Sequence, residues 1–128
     1  MHLDEFVYYA RAMGELKVTA EELIAFARIL SNQTLETIAR RKLFEVQVQD
    51  PSGTQPRQSL IFIPLSTKKP RKQQWQHIVN VIEKFNTTSV NERMKTKTYG
   101  NNSINASYQL ALMQVYFGHI NIGASKTD

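Results

Sequence analysis

The first third of the chain has hydrophobic residues at helical spacing. Residues 3–13 and residues 20–30 each place apolar side chains three or four positions apart, which predicts two amphipathic helices. Thr19 precedes the second of these helices and Glu22 lies three positions later, in the pattern of a capping box. Helical spacing continues over residues 34–42, where Leu35, Ile38 and Ala39 share a face, and predicts a third helix.

The period then changes from nearly four residues to two. Phe44, Val46 and Val48 alternate with polar residues, as in a half-buried strand. Residues 50–56 contain two prolines and a glycine and predict a turn, and residues 60–63 predict a second strand. We therefore expect a β-hairpin with Arg57 near its tip.

The C-terminal half returns to helical spacing after a basic segment at residues 68–72. A helix is predicted over residues 72–85, and a last one over residues 103–118. The polar stretch between them has room for a short helix that begins at Ser89, where Glu92 completes a second capping box. The expected fold is α+β, with three N-terminal helices, a β-hairpin and two or three C-terminal helices. We expect one domain over residues 1–128, with a core at 3–66 and a basic linker and helical extension at 67–122.

Charge is unevenly distributed along the chain. The 128 residues carry a net charge of +5, and residues 33–98 alone carry twelve basic and five acidic residues, a net charge of +7. A local field of this sign attracts polyanions such as nucleic acids. A surface that only keeps the protein soluble is the other interpretation.

The sequence lacks the residues and motifs that several classes of function require. The chain has no cysteine, which excludes disulfides, thiolate zinc sites and cysteine nucleophiles. His2, His77 and His119 do not have metal-ligand spacing, and neither a glycine-rich phosphate loop nor a Gly-x-Ser-x-Gly motif occurs. We expect a non-enzymatic protein without cofactor or metal. No window approaches the roughly 18 apolar residues of a membrane span, and no signal peptide is apparent, so a cytoplasmic protein without a membrane partner is expected.

Residues 30–46, from Leu30 through Ser31, Asn32 and Gln33 to Val46, follow the order of turn, helix and strand. Together with the second strand, at about residues 59–63, they resemble the winged helix-turn-helix family of DNA-binding proteins. The resemblance covers residues 3–65, about half of the chain. It implies that residues 34–42 form a recognition helix in the DNA major groove and that the hairpin is a wing on the flanking backbone. The second helix is longer than usual, the turn lacks the customary glycine, and Glu36 lies on or beside the proposed reading face.

The resemblance and the basic run together define the candidate nucleic-acid contacts. Arginines on the third helix would pair with guanine or phosphate, the wing tip would lie on the backbone, and the basic segment would follow the phosphates. The candidate residues are Gln33, Thr34, Thr37, Arg40, Arg41, Lys42, Arg57, Lys68, Lys69, Arg71 and Lys72.

Two functions follow as alternatives. The first is a winged-helix DNA-binding regulator, or a plasmid or viral replication or partition factor, that binds double-stranded DNA, with RNA as a further possible ligand. Its C-terminal helices have apolar stripes that suit a homodimer. The second is an adaptor or assembly subunit whose apolar helix faces bind another protein, while the basic loops contact RNA or only maintain solubility.

Overall fold

A computed structural model of the protein describes residues 17–89 and 91–126, without the side chains of residues 101–103 and 120–126. The helix predicted over residues 3–13 lies outside the described residues. The elements are, in chain order, helix α1 (Ala20–Ile29), strands β1 (Thr34–Glu36), β2 (Leu43–Gln49), β3 (Ser59–Pro64) and β4 (Arg71–Gln73), helix α2 (Trp75–Thr87), a 3₁₀ segment (Thr96–Asn102) and helix α3 (Ser103–Lys126).

Helix α1 begins at the predicted capping box. The Thr19 hydroxyl accepts a hydrogen bond from the Glu22 backbone N–H at 3.1 Å, and the Glu22 carboxylate accepts one from the Thr19 N–H at 3.2 Å. These bonds satisfy two N–H groups that would otherwise lack a partner at the helix start. The helix buries Leu23, Phe26 and Ala27 against the sheet and the C-terminal helices, so this prediction is confirmed.

The third predicted helix does not exist, and the expected order of elements is wrong. Residues 34–36 form β1, which pairs antiparallel with β2 and places Leu35 opposite Phe44 on the buried face of the sheet. Thr34, Thr37 and Ile38 are β-branched, which disfavours a helix and favours a strand. A short helix is also marginal alone, whereas pairing with β2 supplies backbone partners at once. Over the described residues the order is one helix, four strands and two helices, which is still α+β.

The predicted hairpin is confirmed as β2 and β3, but it is not a free wing. The sheet has the order β1-β2-β3-β4, so both strands of the hairpin lie in its centre. Strand β4 was not predicted: Arg71 and Lys72 belong to the basic segment, and a helix was expected from residue 72 onward. It pairs with β3 and places Gln73 opposite Leu60 on the buried face.

Helices α2 and α3 cover the inner face of the sheet. The two long C-terminal helices are confirmed, although α2 begins at Trp75 and α3 continues to Lys126. The short helix expected from Ser89 is a turn, closed by a hydrogen bond of 3.0 Å from the Glu92 N–H to the Ser89 carbonyl. Gly100, with φ of +61°, separates two turns of the 3₁₀ segment that follows.

One hydrophobic core joins the sheet to helices α1, α2 and α3. Tyr108 of α3 packs on Phe44 and Phe62 with ring centroids 4.9 and 5.4 Å apart, and Phe85 of α2 stacks on Phe117 of α3 at 5.7 Å. The apolar stripes of α2 and α3, expected to serve dimerisation or a protein partner, are therefore mostly buried within the chain, although Val115 is 38% exposed. The homodimer stays a prediction, without these stripes as its surface.

Candidate nucleic-acid interface

The meander brings two basic segments of the sequence to one end of the sheet. In antiparallel strands connected in order, alternate connections lie at the same end. Residues 37–42 connect β1 to β2, and residues 65–70 connect β3 to β4, so these two loops are neighbours. Together with Arg71, the first residue of β4, we call them the basic end. It contains seven of the predicted contacts: Thr37, Arg40, Arg41, Lys42, Lys68, Lys69 and Arg71.

A groove of about 480 Å³ lies between these loops, residues 94–96 and the first turns of α3. Four basic residues line it: Arg40, Lys42, Lys69 and Arg71. Its apolar lining consists of Ile38, Ala39, Pro64, Pro70, Met94, Ile104, Tyr108 and Leu110, and its hydroxyl groups come from Thr37, Ser66, Thr67, Thr96 and Ser107. No acidic residue is among the described residues that line the groove, so its surface is cationic beside an apolar floor.

The cations of the basic end are weakly neutralised. Arg41 lies 3.7 Å from the carboxylate of Glu36, in an exposed ion pair. The Arg71 guanidinium donates to the Asn105 side-chain oxygen at 3.1 Å, which connects β4 to the start of α3. Within the described part of the chain, Arg40, Lys42, Lys68 and Lys69 form no ion pair. Exposed charges of this kind are available to an anion.

Thr37 closes the first loop instead of facing a ligand from a helix. Its backbone N–H donates to the Lys42 carbonyl at 2.9 Å, and its hydroxyl accepts from the Lys42 N–H at 2.9 Å. Thr37 is buried, so its predicted role as an exposed reading residue is not what the geometry favours. The two bonds hold the loop in the form that directs Arg40 and Lys42 to the groove.

The second loop has a similar turn. The Lys68 N–H donates to the Pro64 carbonyl at 2.8 Å, and the Lys69 N–H donates to the Thr67 hydroxyl at 3.3 Å. Arg41 in the first loop and Lys68 in the second both have positive φ, of 52° and 56°. Each loop therefore reverses direction through a basic residue.

The remaining predicted contacts lie elsewhere. Arg57 is in the β2–β3 loop at the opposite end of the sheet, where its guanidinium stacks on Trp75 at 3.9 Å and pairs with Glu21 at 3.5 Å. Lys72 is on the other face of β4 from Arg71 and hydrogen-bonds Gln55. Gln33 and Thr34 are exposed at the start of β1 and do not line the groove.

Sequence reasoning did not find the wall that the C-terminal half contributes. Met94, Thr96, Ile104 and Ser107 are distant in sequence from the basic loops and belong to no motif. Only the packing of α3 across the sheet brings them to the groove. Ile38 was expected inside a helix, yet it is 37% exposed at the groove.

A set of polar contacts fixes the segment that carries Met94 and Thr96. The Tyr99 hydroxyl donates to the Arg93 carbonyl at 2.6 Å, and the Arg93 guanidinium donates to the Thr88 carbonyl at 2.9 Å and stacks on Phe85 at 4.5 Å. Burial raises the pKa of Tyr99 to about 12, against the opposing charge of Arg93. Tyr99 therefore stays protonated and keeps donating at neutral pH.

The chain matches no protein-family model, no curated protein and no solved structure. In the described ranges, no cluster of three or more histidine, aspartate or glutamate side chains is arranged to hold a metal ion. None of the helices seen there has both the length and the apolar character needed to cross a membrane.

Proposed function

We propose that this protein is a non-enzymatic nucleic-acid-binding protein and that its basic end contacts the phosphate backbone. One observation carries the proposal: two loops that are separate in sequence converge on a groove lined by Arg40, Lys42, Lys69 and Arg71 and by no acidic residue among those described. Such a protein would act inside a cell, in gene regulation, replication or partition.

The physical support is the arrangement of charge. A nucleic acid presents regularly spaced phosphates, and binding releases the cations condensed on it when lysine or arginine replaces them. Cations without an acidic partner contribute most to this exchange, because no internal ion pair has to be broken first. Glu21, Glu22 and Asp50 lie on α1 and the β2–β3 loop, away from the two basic loops, whereas Glu36 precedes the first loop and pairs with Arg41.

The mode of contact differs from that of a winged helix. Residues 34–42 form a strand and a loop, so no helix from this segment can enter a major groove. Arg57, expected at a wing tip, is stacked on Trp75 at the far end of the sheet. The proposal therefore assigns the phosphate contacts to the two loops of the basic end.

A salt titration of binding tests the proposal. Fluorescence anisotropy would measure the affinity for labelled single-stranded and duplex oligonucleotides at several salt concentrations. The double variant Arg40→Ala/Lys69→Ala is expected to bind about tenfold more weakly at low salt, and to lower the slope of log affinity against log salt by about 2, since each phosphate contact contributes about 1.

The matched control is Lys17→Ala/Lys84→Ala, which removes the same charge from exposed residues outside the basic end. This control is expected to keep the wild-type slope, apart from a small uniform decrease in affinity. Equal effects of the two double variants would contradict the proposed surface. No binding of any oligonucleotide to the wild type at low salt would contradict the function itself.

A further inference from the structure

The groove at the basic end has more shape than phosphate contact alone requires. Its volume of about 480 Å³ is within the range of roughly 300–1,000 Å³ typical of pockets that enclose a small organic ligand. A surface that only attracts polyanions needs no groove of this size, because phosphates lie on the outside of a nucleic acid. The groove therefore points to a part of the ligand that enters it.

Two exposed isoleucines give the groove its apolar character. Ile38 of the first loop is 37% exposed and Ile104 of α3 is 57% exposed, and both line the groove. Met94 and the ring of Pro70 extend this surface, and Tyr108 closes it from the core side. Apolar groups exposed to water beside a row of cations gain free energy when an apolar surface covers them.

Charge and apolar surface together select one class of ligand. A nucleotide combines a phosphate with a flat base whose faces are largely apolar, and the two groups lie side by side as the cations and the isoleucines do. In a duplex each base is paired and stacked, so its faces are covered and it cannot enter a hollow without leaving the stack. An unpaired base in a single strand has free faces, and proteins that bind single strands stack them on aromatic side chains. In this groove Ile38 and Ile104 offer exposed apolar surface in their place.

We infer that the groove holds an unpaired nucleotide of a single-stranded nucleic acid. The base lies against Ile38 and Ile104, and the adjoining phosphates lie on Arg40, Lys42 and Lys69. This inference rests on the proposed nucleic-acid binding and adds which form of nucleic acid is preferred. The shared unit of base, sugar and phosphate occurs in DNA and in RNA, so both are included in the test.

The first test compares ligands with the same phosphates but different bases. Anisotropy would measure the affinity of the wild type for three labelled DNA ligands: a single strand, the corresponding duplex, and an abasic strand of equal length. The single strand and the duplex would also be measured as RNA. We expect the intact single strand to bind about tenfold more tightly than the abasic strand. For DNA, for RNA or for both, the single strand is also expected to bind more tightly than the duplex.

The second test changes the apolar floor without changing charge. Ile38→Ser/Ile104→Ser is expected to bind the intact single strand about tenfold more weakly while its affinity for the abasic strand stays the same. Ile29→Ser is the matched control, because Ile29 is 70% exposed on α1 and does not line the groove. Circular dichroism and a thermal melt would confirm that each variant is folded.

The outcomes separate this inference from the function on which it rests. Intact strand, abasic strand and duplex bound equally, with Arg40→Ala/Lys69→Ala still weaker, would overturn the nucleotide-binding groove and leave phosphate binding in place. If the wild type bound none of these ligands, both this inference and the proposed nucleic-acid binding would be overturned. A folded serine variant that keeps the wild-type preference for the intact strand would also overturn the inference.

Discussion

Arg41 and Lys68, at the residue scale, combine positive charge with an unfavourable backbone conformation. A non-glycine residue with φ near +55° costs roughly 1–2 kcal/mol, because its Cβ approaches the carbonyl oxygen that follows. Glycine adopts this conformation without that cost, yet neither loop uses it. Residues in strained conformations occur preferentially at functional sites. At these two positions the chain has a basic residue, although glycine would adopt the same backbone conformation at lower cost.

Lys68→Gly is expected to keep or raise the free energy of unfolding, by up to about 1 kcal/mol, because relief of the strained φ offsets the larger entropy of glycine in the unfolded chain. The same variant is expected to lower the salt slope of nucleic-acid binding by about 1. Urea unfolding and anisotropy would measure the two effects.

Lys69→Gly is the control for the loop, because Lys69 has no positive φ. It is expected to lose about 0.5–1 kcal/mol of stability, since only the entropic effect of glycine remains. A Lys68→Gly variant that is destabilised as much as this control would show that the positive φ of Lys68 is not strained.

At the element scale, α1 is connected to α3 by a polar contact at the edge of the core. The Tyr116 hydroxyl donates to the Glu22 carboxylate at 2.9 Å, and the Tyr116 ring packs edge-to-face on Phe26 at 5.3 Å. The hydrogen bond from Tyr116, followed by that from the Thr19 hydroxyl, lowers the pKa of Glu22. Burial, followed by the bond to Glu22, raises the pKa of Tyr116 to about 12. Both groups therefore make the contact depend on pH.

The lowered pKa of Glu22 stabilises the fold above its unfolded-state pKa near 4.5, and this contribution is lost as the pH falls through the lower folded value. The raised pKa of Tyr116 stabilises the fold below pH 10, and this contribution is lost as the pH rises towards 12. Tyr116→Phe is expected to lose about 1 kcal/mol near neutral pH, a typical value for one hydrogen bond.

The difference in the free energy of unfolding between wild type and Tyr116→Phe should therefore shrink at both ends of the pH range. Urea unfolding from pH 3 to pH 11 would measure it. Tyr99→Phe is the control, because Tyr99 also has a pKa raised to about 12 but donates to a carbonyl. Its difference from the wild type should shrink only on the alkaline side. An acid-side effect as large as that of Tyr116→Phe would contradict the role of Glu22.

At the scale of the whole molecule, one core of the described residues extends from residue 18 to residue 117 and contains side chains of the sheet and of helices α1, α2 and α3. A buried polar pair crosses it: the Gln73 side-chain amide donates to the Gln109 oxygen at 2.5 Å, and the Gln109 amide donates to the Ile78 carbonyl at 3.1 Å. These bonds connect β4, α3 and α2. The described elements are therefore expected to unfold together.

Phe62→Ala removes a ring that packs on both Phe44 and Tyr108 and is expected to cost about 3–5 kcal/mol. Circular dichroism of the helices and fluorescence of Trp75, the single tryptophan, should show one coincident unfolding transition in wild type and variant. Ile61→Ala, on the half-buried opposite face of the same strand, should cost much less. Separate transitions for the two probes would contradict a single cooperative core.

The amino-acid sequence by itself determined the elements whose signals are local. The capping box at Thr19, the alternation through Phe44, Val46 and Val48, and the helical stripes of α2 and α3 each specify a structure within a few residues, because capping and side-chain period act over that range. The concentration of positive charge over residues 33–98 was likewise visible without a structure.

Only the tertiary structure decided the state of residues 34–42 and the position of the groove. Leu35, Ile38 and Ala39 fit a helix by spacing, but β2 offers Leu35 a partner strand and a place opposite Phe44. The order of the sheet then brings Arg40 and Lys69 to one end and leaves Arg57 at the other. Strand pairing and the packing of α3 join residues far apart in the chain, and the period of a short segment contains no information about such partners.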